Sequence, residues 1–206
     1  MSKIFSVNNL SYKVNKKQII NNISCELEEG ITIIKGPNGA GKTTFLKLLF
    51  GLIDPTQGHI TKNYDEKKTE VSFVFQNPVF LNRTVEENLR HTLHCKNIPK
   101  DNWGKIIAEN VSLYSIESII NLNINMLSGG ELQLLSLVRS IIIQPHILFY
   151  DEPTNNLDER NVNLLMQIIE RLYDQGRSII MVSHSDFSQH KIKHNKLEIN
   201  QGVLRC

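Results

Sequence analysis

A glycine-rich segment followed by lysine and threonine carries the clearest chemistry in the sequence. It lies at residues 36–44, between an apolar run at 31–34 and an amphipathic pattern at 45–50, and it fits G-x-x-x-x-G-K-[ST]. Glycines let backbone N–H groups approach an anion closely, and the positive end of the following helix faces the same anion. The segment therefore predicts a phosphate-binding loop made of Gly36, Pro37, Asn38, Gly39, Ala40, Gly41, Lys42, Thr43 and Thr44.

Two adjacent carboxylates, Asp151 and Glu152, follow the apolar run at 147–150. Burying two acids at a strand end is costly unless a cation or a chemical task compensates. In a loop of the kind above, Lys42 reaches the β- and γ-phosphates of a nucleotide and the Thr43 hydroxyl binds Mg²⁺. We therefore expect Asp151 to order the Mg²⁺ shell, through water, and Glu152 to polarise the attacking water as general base.

A second anion site is predicted further along the chain. Ser128, Gly129 and Gly130 open a long apolar helix predicted over 132–143. A serine and two glycines at a helix N-terminus suit an anion. The chain has only one phosphate-binding loop, so the second anion site is not part of a second nucleotide loop.

The remaining patterns predict the elements that position these residues. Alternation over 4–34 predicts short antiparallel strands, broken at Asn8-Asn9 and Asn21-Asn22, and a buried strand at 71–75 ends at Gln76. From about 77 to 140 helical spacing takes over, with a capping box at Thr84 and Asp101 as the expected cap of the next helix. The α/β alternation then resumes with a strand at 147–150, a helix at 159–173, a strand at 178–182 and a hairpin at 196–204.

These patterns predict a single α/β domain over residues 1–206. Segments 1–76 and 141–206 form the core, which includes an N-terminal antiparallel sheet, and 77–140 form an inserted helical subdomain with the Ser-Gly-Gly segment.

Composition excludes several function classes. Lys and Arg number 23 and Asp and Glu 21, so bulk charge favours neither nucleic acid nor an anionic membrane surface. No apolar run approaches the roughly 18–20 residues that cross a bilayer, and the N-terminus lacks the pattern of a signal peptide. The three cysteines are far apart, which favours free thiols in a reducing cytosol over a disulfide framework.

In order along the chain, the phosphate loop, Gln76, the Ser-Gly-Gly signature, the acidic strand end and His184 resemble the nucleotide-binding subunit of ATP-binding cassette (ABC) transporters. The resemblance covers essentially the whole chain. It implies the P-loop NTPase fold of ABC ATPases, with a mixed sheet core, an antiparallel β subdomain and an inserted α-helical subdomain.

The resemblance also implies roles for single residues. Gln76 contacts Mg²⁺ or the attacking water, His184 contacts the γ-phosphate, Asp158 sets geometry across a dimer, and Tyr12 stacks on adenine. Taken alone, each of the four has an ordinary alternative. In the order just given, these are a polar residue at a strand end, a loop histidine, a helix N-cap and a residue on a sheet face. The expected catalytic residues are Glu152, His184, Gln76 and Lys42, and the expected metal ligands are Thr43, Gln76 and Asp151.

The implied activity is ATP hydrolysis that energises solute transport, with ATP and Mg²⁺ as cofactors. The implied partners are a membrane permease and a second copy of the chain, whose signature completes the nucleotide site; a solute-binding protein stays open, and no nucleic acid is expected. The implied location is cytoplasmic, at the inner face of the cell membrane. The apolar stretch at 78–81 is the expected contact for the permease; simple packing between the two lobes is the alternative.

Departures and alternatives accompany the resemblance. Glu131 replaces a frequent glutamine, Leu134 replaces a usual arginine, and Asn155-Asn156 stand where relatives carry small residues. An importer of bacterial type is favoured, and a separate-subunit exporter such as a haem-export system stays open. A soluble ABC-type ATPase of DNA maintenance or translation is the other alternative, although the chain has neither a long heptad insertion nor a second cassette.

Overall fold

A computed structural model describes residues 2–153, 157, 159–183 and 193–205. Within that part, the elements in chain order are β1 (Lys3–Val14), β2 (Lys17–Glu28), β3 (Ile31–Lys35), α1 (Lys42–Phe50), β4 (Gln57–Lys62), β5 (Val71–Val74), α2 (Val85–Cys95), α3 (Lys100–Leu113), α4 (Gly129–Ile141), β6 (Ile147–Asp151), α5 (Glu159–Asp174), β7 (Ser178–Val182), β8 (His194–Asn200) and β9 (Val203–Arg205).

The strands form two sheets. The larger has the order β5-β6-β7-β3-β8-β9, with all neighbours parallel except the β8-β9 hairpin. The smaller is antiparallel, in the order β2-β1-β4. Because β3 and β6 run the same way, the loop after β3 and the acids that end β6 emerge at one edge of the larger sheet.

The N-terminal strands differ from the prediction of short, broken strands. β1 and β2 are each 12 residues long and pair with one another throughout. Asn9 (φ 49°) and Asn22 (φ 50°) adopt left-handed backbone conformations beside register shifts. They therefore form β-bulges within β1 and β2 and do not end these strands. β3 leaves this sheet altogether and becomes a central parallel strand of the other one, since its residues at 31–34 are buried on both faces.

Helical spacing was predicted from about 77 to 140. The helices of this region lie between Val85 and Ile141, and residues 77–84 are not helical. Thr84 caps α2 in a capping box with Glu87, as expected. The expectation for Asp101 was wrong: Pro99 occupies the N-cap of α3 and Asp101 lies in the first turn, because a proline without an N–H group suits the helix start. The helix predicted at 132–143 begins earlier, at Gly129.

Two buried apolar clusters hold these layers together. One joins α2, α3, α4 and α5 to one face of the larger sheet, with Leu134 packed against its edge. The other lies between α1, the smaller sheet and the opposite face. Within the described ranges, no helix combines the length and hydropathy needed to cross a bilayer. Cys25 and Cys95 are free thiols, and burial raises the pKa of Cys25 to about 11.

Candidate nucleotide site

The predicted phosphate loop links β3 to α1 at the sheet edge. Gly36 (φ 146°) and Gly41 (φ 101°) adopt conformations that favour glycine, and Gly41 is the N-cap of α1 without any side-chain cap. A cleft of about 310 Å³ opens over this loop, lined by Lys17, Ile19, Asn38, Gly39, Ala40, Gly41, Lys42, Thr43, Thr44 and Glu152. The N-terminal N–H groups of α1 therefore face a cleft of a size suited to phosphates.

The Lys42 side chain is folded back onto the loop. Its Nζ donates to the carbonyl oxygens of Gly36 (2.9 Å) and Pro37 (3.0 Å), and the residue is only 4% exposed. Burial lowers the pKa of Lys42, while the nearby carboxylates of Glu152 and Asp151 oppose that shift. The ammonium group is thus held beside the place where the loop would bind an anion.

Thr43 and Asp151 are in direct contact. The Thr43 hydroxyl donates to Asp151 Oδ1 at 2.9 Å, and Asp151 is 3% exposed. Burial raises the pKa of Asp151, and the hydrogen bond from Thr43 partly offsets this shift. A hydroxyl and a carboxylate at this separation are hard oxygen donors, which fits the preference of Mg²⁺ for one or two protein ligands completed by phosphates and water.

Gln76 and Glu152 form the second contact at this edge. Gln76 Nε2 donates to Glu152 Oε2 at 2.8 Å. Glu152 has a left-handed backbone (φ 51°) and its N–H donates to the Val182 carbonyl at 3.0 Å, which turns the side chain towards the cleft. The structure therefore brings together five of the predicted residues, namely Gln76, Lys42, Thr43, Asp151 and Glu152.

The sequence did not predict that the phosphate loop is supported by the turn of the β8-β9 hairpin. The Gly202 N–H donates to the Ala40 carbonyl at 2.9 Å, so the turn of the β8-β9 hairpin contacts the phosphate loop. A Cβ on Gly36 would lie 1.9 Å from the Ile199 carbonyl oxygen, so only glycine fits there. The pattern at 196–204 indicates a hairpin, but nothing local indicates where the hairpin packs.

Tyr12 and the signature residues do not line this cleft. Tyr12 packs on the smaller-sheet core, and the side of the cleft nearest that sheet is formed by Lys17 and Ile19 of β2. These two residues were not predicted, because only the packing of the smaller sheet places them at the cleft. His184 and Asp158 lie outside the described residues.

The signature residues begin α4. Ser128 is its N-cap: Ser128 Oγ accepts from Glu131 N, while Glu131 Oε2 accepts from Ser128 N (2.8 Å) and Ser128 Oγ (2.7 Å). These bonds hold the pKa of the Glu131 carboxyl below its usual value, the side-chain bond contributing most. Glu131 is therefore the second half of a capping box, a role that the sequence comparison with glutamine did not suggest.

A larger groove of about 520 Å³ lies elsewhere, between Ser115 and the exposed side of α5. Its lining residues are Ser115, Glu159, Asn163, Leu164 and Gln167. Among the residues that the structure describes, none of those predicted for chemistry lines it, so size alone does not mark the site.

Comparison with known proteins agrees with this geometry. A family model described as "ABC transporter" matches residues 20–155. The zinc import ATP-binding protein ZnuC of Wigglesworthia glossinidia brevipalpis is 35% identical over 189 residues, which cover 89% of this chain and 77% of ZnuC. The "Probable iron export ATP-binding protein FetA" of Escherichia coli is 31% identical, with 99% of this chain and 95% of FetA covered.

A solved structure shows the same fold. It is an ATP-binding cassette in a dimeric post-hydrolysis state with ADP and Pi, and it superposes with a TM-score of 0.82 at 23% identity, covering 98% of this chain and 97% of that one. The chain therefore belongs to the ABC transporter family and is one of its ATP-binding, ATP-hydrolysing subunits, which energise transport.

Proposed function

We propose that the cleft over the phosphate loop binds ATP together with Mg²⁺, and that Glu152 is the general base for hydrolysis. The observation that supports this most strongly is the pair of contacts from Thr43 to Asp151 and from Gln76 to Glu152. They join the loop after β3, the segment after β5 and the acidic end of β6 at one side of the cleft. A purely structural strand end would not need two carboxylates at this position.

Within this proposal each residue has one task. Lys42 contacts the β- and γ-phosphates, Thr43 and Asp151 hold Mg²⁺, and Gln76 contacts the metal or the attacking water. Bound Mg²⁺ supplies neutralisation of the charge that develops on the phosphate oxygens. Glu152 accepts the proton of the attacking water, and His184 keeps its predicted role at the γ-phosphate. Tyr12 does not line the phosphate cleft, but it is only partly buried and keeps its predicted role at the adenine, which lies at the other end of the nucleotide from the γ-phosphate.

The proposal includes a second copy of the chain. Ser128, Gly129 and Gly130 form a helix start, yet they do not line the cleft of their own chain. Two copies packed head to tail would place each signature on the other copy's nucleotide, and a two-fold pairing completes both sites at once. Asp158 keeps its predicted role between the two copies.

We further propose that the ATPase works at the inner face of the membrane, on a permease. Val79 is 82% exposed, Leu81 39% and Met126 71%, and Asn82 and Asn125 are hydrogen-bonded at 2.8 Å, which brings the two segments together. We call Val79, Leu81 and Met126 the docking surface. Segment 77–140, proposed as a helical subdomain, carries all of it. Relatives named for import and for export leave the direction of transport and the solute open.

The direct test replaces the base. Glu152→Gln is expected to lower ATP turnover by about 10²- to 10⁴-fold, because the amide cannot accept the proton, while ATP binding is retained. Turnover is measured as phosphate release and binding as retention of Mg-ATP by the purified protein. Glu66→Gln, which removes an exposed ion pair with Lys62, is the matched control and should hydrolyse normally. Unchanged turnover in Glu152→Gln would contradict the proposed role.

A further inference from the structure

The segment between β5 and α2 is anchored at three points, each to a different element. At its start Gln76 donates to Glu152. In the middle the Val79 carbonyl accepts from Arg139 Nη1 of α4 at 2.7 Å. At its end the Leu81 N–H donates to Asn88 Oδ1 of α2 at 3.0 Å, and Asn88 Nδ2 returns a bond to the Leu81 carbonyl at 3.1 Å. The segment is therefore held by the catalytic strand end and by two helices.

Arg139 is half-buried and makes an unusual pair of contacts for an arginine. Besides the bond to Val79, its guanidinium carbon lies 4.3 Å from the ring centroid of Phe80. Within the described ranges it forms no ion pair with an acidic side chain. Its charge and its planar donors are therefore directed at a backbone carbonyl and an aromatic face, both in this segment.

The same helix carries the signature at its other end. Ser128 caps the start of α4 and Arg139 lies in its last turn. These residues are 11 positions apart, which corresponds to roughly 16 Å along a helix. Leu135, Leu137 and Val138 are fully buried between them, so α4 is packed against the core along the stretch that joins its two ends.

We propose that Arg139 is a positioning residue that fixes the docking surface to the signature helix. When ATP closes the dimer onto Ser128, Gly129 and Gly130, the displacement of α4 is carried through Arg139 to Val79 and Leu81. The inference rests on the proposed function, because it requires both nucleotide closure and a permease contact. Asn88 holds the same segment to α2, and Arg139 adds the direct connection to α4.

The experiment measures amide hydrogen exchange of residues 79–82, without nucleotide and with Mg-ATP, in the Glu152→Gln protein. In this parent, Mg-ATP is expected to change the exchange of the segment. Arg139→Met should raise exchange without nucleotide by on the order of tenfold, since a bond from a charged donor is lost. It should also reduce the ATP-dependent change, with the remainder carried by Gln76 and Asn88, while ATP affinity stays within about twofold, because Arg139 does not line the cleft.

Two variants separate positioning from simple packing. Arg139→Lys keeps the charge and N–H donors but loses the planar group, and Phe80→Leu keeps Arg139 and loses the ring, so each should retain more of the ATP-dependent change than Arg139→Met. Arg90→Met is the matched control, because Arg90 pairs with Glu86 on α2 and makes none of the contacts to this segment. It should match the parent in both states.

The outcomes are distinguishable. If the parent fails to bind Mg-ATP, the proposed function is wrong. If the parent binds Mg-ATP but residues 79–82 show no nucleotide-dependent change, the coupling is wrong. The same holds if Arg139→Met keeps that change in full, whatever happens to exchange without nucleotide. If Arg139→Met fails to fold, the test uses Phe80→Leu. Full retention of the ATP-dependent change in exchange in that variant overturns the proposal, and partial loss supports it.

Discussion

The helices α1 and α4 both begin at a glycine-containing segment, but the N–H groups of their first turns are capped differently. Gly41 caps α1 with no side chain on the helix N–H groups. Ser128 and Glu131 close the first turn of α4 with a reciprocal capping box. A phosphate at α1 thus meets backbone donors that have no competing side chain, whereas a phosphate at α4 meets a helix start that already carries a carboxylate.

This difference separates the two halves of the proposed composite site. The start of α1 supplies positive potential, reinforced by Lys42, and is suited to bind nucleotide by itself. The start of α4 offers a hydroxyl and two small residues beside a fixed negative charge. It is therefore suited to close over a nucleotide that is already bound, and it is poorly suited to capture one.

The largest effect is expected from adding a methyl group at the uncapped helix start. In Gly41→Ala the new Cβ would lie 2.9 Å from the Ile19 carbonyl oxygen, at a φ of 101°. The left-handed backbone alone costs about 1–2 kcal/mol, so ATP affinity should fall at least about fivefold. In Gly129→Ala nothing lies within 4 Å of the new Cβ, so thermal stability should be kept and any loss confined to dimer closure.

Equilibrium ATP binding and thermal unfolding of the monomer check this contrast. Gly104→Ala, which adds a methyl group in open space on α3, controls for the substitution itself. Equal ATP affinity in Gly41→Ala and Gly104→Ala would show that the conformation at the start of α1 is unimportant.

A smaller effect is expected from removing the two caps. Ser128→Ala and Thr84→Ala each break a capping box of the same kind, one at the signature and one on α2. Each should lower the free energy of unfolding by about 1 kcal/mol, measured in urea. In the Glu152→Gln background, sedimentation should show that only Ser128→Ala weakens ATP-driven dimerisation. Equal dimerisation in both variants would mean that the serine hydroxyl has no part in closure.

The smallest effect concerns the charge at the start of α4. Glu131→Gln keeps a capping box but removes the carboxylate, so ATP-driven dimerisation should strengthen by about two- to fivefold at low salt. Bonds from Ser128 hold the pKa of Glu131 below its usual value. The stabilisation by the carboxylate is therefore present above the unfolded pKa of about 4.3 and lost as pH falls through the folded pKa.

Chemical unfolding of both proteins between pH 7 and pH 3 checks the sign. The difference in free energy of unfolding between wild type and Glu131→Gln should be small, because the group is largely exposed, and it should decrease as the pH falls. A difference that grew on acidification would contradict this account.

The chemistry of the site was predictable because it depends on short-range patterns. The phosphate loop, the two acids after an apolar strand and the capping box at Thr84 each lie within about ten residues, and the structure contains all three. Their meeting at one sheet edge follows from parallel strands. The helical character of the segment from 85 to 141 was also predictable from the sequence. Apolar residues recur there every three to four positions, whereas in the strands they recur at every second position.

What escaped prediction depends on distant pairing. Nothing local in the sequence indicates that β3 leaves the antiparallel sheet, or that Asn9 and Asn22 bulge within long strands. Asn88 reads as an ordinary helix residue, yet it is 2% exposed and anchors Leu81. Lys17 and Ile19 are placed at the cleft by sheet packing alone.

The contact between the β8-β9 turn and the phosphate loop bears on how this protein is made. Gly202 supports Ala40, although about 160 residues separate them in the chain. During synthesis the ribosome releases the loop early and its support late. A nascent chain that stops before β8 should therefore be unable to hold nucleotide, and ligand capture would report that translation has passed residue 202.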